Sequence, residues 1–149
     1  MRRGETRRHG RGFTLIEVLI VIIIVAILAL VVIPRAMGAV RRSREASLRA
    51  TLKQVRDAIE CFEARTAAWP PSLADIVAAN GNAISADTDG AGGAVDRAAY
   101  DGPYLRTSDG ALPKDPFTNA ADWNYRNATG EVHSTSTLVA VDGTRYSTW

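Results

Sequence analysis

The sequence predicts an α+β fold in which one long amino-terminal helix packs on a small carboxy-terminal antiparallel sheet. Three observations predict it. Residues 13–33 are apolar except for Thr14 and Glu17. Beyond them, Leu48, Leu52, Val55, Ile59 and Phe62 recur at steps of four and three, the spacing of one helix face. The final 30 or so residues alternate short β-prone runs with turn signals such as Asp142-Gly143.

Residues 1–12 form a hydrophilic leader, with Arg2, Arg3, Arg7, Arg8 and Arg11 set against Glu5, and cannot enter a bilayer. The 21 residues from 13 to 33 reach roughly 31 Å as a helix, the thickness of a hydrocarbon core. A secretory signal has a shorter apolar region and then a small-residue cleavage site. Ile33-Pro34-Arg35 follows instead, so the apolar run is expected to remain in the working protein. Glu17 is the costly residue, at about 3 kcal/mol if it sat mid-bilayer and less near an end. It serves either as a headgroup-level residue of a plain anchor or as a charge with a purpose inside an assembly.

Gly12-Phe13-Thr14-Leu15-Ile16-Glu17, between the basic leader and the apolar run, resembles the class III signal of type IV prepilins and type II secretion pseudopilins. The resemblance implies that a membrane-embedded aspartyl peptidase cuts between Gly12 and Phe13 and methylates the new amine on Phe13. It implies a helical filament in which Glu17 of one subunit neutralises the Phe13 amine of its neighbour. Such a pair in low dielectric would set axial register more than stability. Arg35, Arg41, Arg42 and Arg44 beyond the span nearly balance the leader's charge, so the positive-inside count leaves orientation open. The resemblance is what places the leader in the cytoplasm and the rest in the periplasm.

Pro34 lacks an amide proton and its ring crowds the carbonyl of Leu30, and Gly38 loosens the same region. The helix therefore either kinks at Pro34 or ends at Ile33 and restarts there; the pilin resemblance implies the kinked, continuous form. Along residues 39–64, burial of the five-residue stripe is worth about 1.5–3 kcal/mol per side chain before entropic costs. The cations from Arg35 to Arg56 form a solvated or subunit-contacting face, and nucleic acid is a disfavoured partner.

Trp69-Pro70-Pro71 ends the long helix and opens a short one, with the prolines in its first turn and Gly81 as its stop. Residues 80–102, rich in Gly, Ala and Asp, are expected to form an exposed irregular loop. Within it Asp87, Asp89 and Asp96 offer hard oxygen ligands, a candidate calcium loop that lacks the glutamate of an EF-hand. Trp123-Asn124-Tyr125-Arg126 is expected to pair with Glu131-Val132-His133-Ser134, and Leu138-Val139-Ala140-Val141 with Arg145-Tyr146-Ser147, the resulting sheet covering the helix stripe. The single cysteine, Cys61, excludes an intrachain disulfide and falls away from that stripe. Neither His9 nor His133 has a triad or metal-ligand context, so no catalytic residues are expected.

A second resemblance lies in Gly102-Pro103-Tyr104-Leu105, Leu112-Pro113-Lys114-Asp115-Pro116-Phe117 and Trp123-Asn124-Tyr125, which look like the tract of major type II secretion pseudopilins. Together the two resemblances imply a pilin-like ladle: a cleaved leader (1–12), a membrane and filament-core helix (13–33), its amphipathic continuation (34–66) and a globular head (67–149). The implied function is structural and non-enzymatic: a pseudopilus subunit driving protein export. The implied partners are like subunits, other pseudopilins or minor pilins, the prepilin peptidase and methyltransferase, an inner-membrane assembly platform, and lipid before assembly. A type IV pilin for adhesion, motility or DNA uptake is the first alternative. An uncleaved single-span protein with a periplasmic binding domain is the second. No cofactor is expected beyond the calcium candidate.

Overall fold

The computed structural model describes residues 13–149, so the leader and Gly12 lie outside the described residues. Contacts divide the chain into two compact units, Met1–Val40 and Arg41–Trp149.

A single 52-residue helix, α1 (Leu15–Thr66), belongs in part to each unit. Thr14 starts it: the Glu17 amide donates to the Thr14 hydroxyl at 3.3 Å and to its carbonyl at 3.1 Å. Thr14 and Glu17 stand at the spacing of a capping box, an amino-terminal helix signature. Helical backbone continues through Pro34 and Gly38, so the helix does not end at Ile33. It stops where Ala67 adopts a left-handed φ of 61° and returns its amide to the Glu63 carbonyl at 2.8 Å. The Thr66 hydroxyl, fully buried, closes the last turn by donating to the Phe62 carbonyl at 2.8 Å.

In the first unit the large apolar side chains of α1 are bare, from Leu15 at 86% exposure to Leu19 at 46%. Its most apolar 18-residue window has a mean hydropathy of 3.6, long and apolar enough to cross a membrane, and none of it is buried.

In the second unit α1 presents the expected stripe. Leu48, Leu52, Val55, Ile59 and Phe62 are each at most 1% exposed. They meet Ile76, Val132 and Tyr146, all buried. Phe62 packs edge-on against Tyr100 and Tyr104, with ring centroids 5.7 and 6.0 Å away. Tyr146 stacks on Phe117 at 4.2 Å.

The sheet is a two-stranded antiparallel hairpin, β1 (Asn124–Arg126) and β2 (Glu131–His133), with Tyr125 opposite Val132. Each strand is one residue shorter than expected. The Trp123 indole instead donates to the Pro113 carbonyl, and the Ser134 hydroxyl to the Asp115 carboxylate. Gly130 closes the turn at a φ of 69°, pressed so close to Trp69 that a Cβ would lie 2.3 Å from the ring.

The second expected hairpin shrinks to one bridge, Val139 opposite Arg145. Its backbone is drawn elsewhere: the Val141 amide donates to Glu45, and the Val139 carbonyl accepts from Arg41. The Thr144 amide turns onto the Asp142 carboxylate, and residues Tyr146–Thr148 coil into a 3-10 turn. The short helix after Trp69 is a 3-10 turn, Leu73–Val77, capped by Ser72, so Pro70 and Pro71 precede it. Gly81 opens another such turn, Gly81–Ala83, and does not terminate the first. The segment 80–102 is irregular as expected but not wholly exposed. Ile84, Val95 and Tyr100 are buried in the core, and the Asp96 amide is fastened to the Thr66 carbonyl at 2.9 Å.

Candidate functional site

The amino-terminal turn of α1 brings Phe13, Thr14 and Glu17 together. Phe13 is 81% exposed. Phe13, Glu17, Val18 and Val21 border a shallow depression of about 280 Å³ with a wholly apolar surface. A helix whose first turn carries a carboxylate gains from its own dipole, so Glu17 is both locally supported and available. Beyond it the exposed apolar rod can only be covered by lipid or by other protein. At Gly38 a Cβ would meet nothing within 4 Å, so close packing within the described residues does not explain this glycine.

Asp87, Asp89 and Asp96 share a loop, but their carboxylates serve different partners. Asp87 pairs with Arg97 at 2.6 Å. Asp89 accepts amides from Gly93 at 2.7 Å, Ala91 at 2.9 Å and Trp69 at 3.3 Å. Those amide dipoles, the Gly93 bond foremost, hold the Asp89 carboxyl below the usual carboxylate range. Asp96 caps the turn at Ala98 and Ala99. Among the described residues no three acidic, His or Cys groups gather as a metal cluster.

Three buried carboxylates organise the head and went unread in the sequence. Glu45 lies on the stripe face of α1, 8% exposed, and accepts from the Val141 amide at 2.9 Å and the Tyr146 hydroxyl at 2.8 Å. Arg41 stands 3.6 Å from it, one turn earlier. Burial, then the bond to Glu45, pushes the Tyr146 hydroxyl above its ordinary pKa. Asp75 accepts from the Ser72 amide, the Ser85 amide and the Ser85 hydroxyl at 2.7–2.9 Å, tying the 3-10 turn to the loop. Asp115, of the Asp-Pro tract, is 1% exposed and accepts from the Phe117 amide at 2.7 Å and the Ser134 hydroxyl. A signal existed for two of them: Glu45 keeps phase with Leu48 and Leu52, and Ser72-x-x-Asp75 is a capping-box pattern. Cys61 is exposed, and the His133 ring nitrogen Nδ1 lies 2.9 Å from the Trp149 carbonyl oxygen.

Residues 7–33 match the family described as the prokaryotic N-terminal methylation motif. The type II secretion system core protein G of Pseudomonas aeruginosa is 31% identical over 64 residues, 43% of this chain. The matched stretch covers 45% of that protein, so the chain spans less than half the length of this curated relative. No solved structure matches. The methylation-motif match falls on the amino-terminal turn and on the bare helix that is long and apolar enough to cross a membrane. With the likeness to core protein G, it supports placing the chain in the type IV pilin and pseudopilin superfamily.

Proposed function

We propose that the chain is a subunit of a type II secretion pseudopilus. It would wait in the bacterial inner membrane with its head in the periplasm. Hydrolysis between Gly12 and Phe13 would free an amine that is then methylated. Subunits would next leave the bilayer through an assembly platform and form a filament whose extension drives protein export. The observation that carries this reading is the bare apolar rod headed by Glu17 within a matched methylation motif.

In the filament, neighbouring 13–33 segments take the place of acyl chains. Apolar contact alone does not choose an axial stagger, because one greasy surface slides on another at little cost. The Phe13 amine and Glu17 supply that choice, since misaligned subunits would leave a desolvated charge unpaired. Pro34 and Gly38 are the positions where the helix would bend as subunits pack. The head would fold without calcium, because Asp87, Asp89 and Asp96 already have partners in the chain.

The test is Glu17→Ala in cells that carry the secretion system. Membrane insertion should persist while filaments and exoprotein release are lost. Normal filaments from the alanine variant would refute the register argument. Loss of surface pili and motility, with export intact, in a deletion strain would assign the chain to a type IV pilus instead.

A further inference from the structure

Within the head unit, α1 changes sign along its length. From Arg41 to Arg56 it carries six cations and one acid, Glu45; from Asp57 to Thr66 it carries three acids and one cation, Arg65. Most of these charges are satisfied inside the chain. Arg49 pairs with Asp142 at 3.2 Å and lies over the Trp149 ring, Lys53 pairs with Asp57 at 2.8 Å, and Arg65 pairs with Asp101 at 3.4 Å. Arg56 donates to the Val132 and Trp149 carbonyls. Arg42 and Glu60 are exposed, and among the described residues neither forms an ion pair.

These two residues stand eighteen positions apart. Eighteen residues are about five whole helical turns, or about 27 Å of rise, so Arg42 and Glu60 fall on one line along the helix. A second copy lying parallel and displaced by that rise would bring its cationic half beside the acidic half of the first, with Arg42 level with Glu60. The contact is heterologous, the kind that repeats without closing and so builds fibres.

We propose that Arg42 of one copy pairs with Glu60 of another, a second register mark outside the membrane segment. It rests on the filament reading above and adds to the Phe13–Glu17 pair a device carried by the head's own helix. Satisfied neighbours on the same flank, Arg49, Lys53 and Asp57, would not compete for either partner. An exposed pair is modest singly, but it recurs at each subunit and therefore acts on the concentration at which the polymer appears.

Charge reversal tests it. The chain, purified from membranes in detergent, is assembled by detergent removal and pelleted, comparing the unaltered protein with R42E, E60R and the double variant R42E/E60R. Each single reversal should raise the critical concentration by about three- to fivefold, the ratio expected for losing an exposed pair and gaining a repulsion. The double variant should return to within about twofold of the unaltered chain, and the threshold should climb with salt. A second measurement uses R42C/E60C in a C61S background, in which mild oxidation should give a ladder of covalent oligomers in the pelleted fraction. Single reversals that pellet like the unaltered chain would overturn the pair and leave the filament reading standing. So would a double variant no better than its parents with an unchanged melting curve. An unaltered chain that never pellets would overturn the filament reading and the pair together.

Discussion

Removing the Glu45 carboxylate should unfasten residues 138–149 from α1. Glu45→Ala deletes the acceptor for two donors, the Val141 amide at 2.9 Å and the Tyr146 hydroxyl at 2.8 Å. Tyr146 is fully buried and Glu45 nearly so, leaving water little access to replace the lost bonds. Hydrogen bonds to a charged acceptor contribute about 1.5–3 kcal/mol each, so the pair sums to about 3–6 kcal/mol, with the stranded Tyr146 hydroxyl the larger share. For a unit of this size the melting temperature should fall by about 12–24 °C. Glu45→Gln keeps one oxygen acceptor but makes both bonds neutral and loses the attraction to Arg41, and should cost about 2 kcal/mol, less than the alanine. The assay is tryptophan fluorescence of the detergent-solubilised full chain during heating, since Trp149 packs edge-on against Tyr146 at 4.9 Å. A Glu45→Ala chain melting within about 3 °C of the unaltered one would refute the claim that this carboxylate anchors the segment.

Three further outcomes follow from the head. Asp89 has a depressed folded pKa, so its contribution is full above the unfolded carboxylate value and fades as pH falls through the folded one. Protection of the Gly93 and Trp69 amides, taken relative to their intrinsic exchange rates, should therefore weaken in acid, and Asp89→Asn should flatten that dependence; equal acid sensitivity in the variant would contradict it. Burial pushes the Tyr100 hydroxyl up to about 12, with neighbouring Tyr104 and Asp75 adding to the effect. Its contribution is full below the unfolded tyrosine value and is lost as pH rises through the folded one; the other three tyrosines are also raised, so near-ultraviolet titration of Tyr100→Phe should show one late tyrosinate fewer than the unaltered chain. Gly130→Ala would force a Cβ into the Trp69 ring at an unfavourable φ and should destabilise the head by more than about 1 kcal/mol, read by denaturant titration. A loss smaller than that would mean that Trp69 moves aside freely.

What the sequence reveals follows from periodicity. The stripe from Leu48 to Phe62 is legible because five apolar residues keep helical phase, and each is buried. The hairpin β1–β2 is legible because Gly130 punctuates two β-prone runs. Glu45, Asp75 and Asp115 were missed because pattern rules treat a carboxylate as solvated, whereas these three are enclosed by donors from distant positions. The burial of Ile84, Val95 and Tyr100 was hidden for a related reason: isolated apolar residues in a Gly- and Ala-rich stretch make no periodic signal. The second hairpin failed as a reading because strand propensity says nothing of the side chains of Arg41 and Glu45, which take the groups a longer ladder would have used. At the amino terminus the motif is legible, and Thr14-x-x-Glu17 carries the capping-box spacing that the bond from the Glu17 amide to the Thr14 hydroxyl fulfils.

Intact mass analysis of the native chain taken from bacterial membranes tests the central claim most directly. The account predicts a polypeptide that starts at Phe13, lacks residues 1–12 and carries one added methyl group. A chain that retains its leader while resident in the membrane, with an unmodified amino terminus, would contradict it.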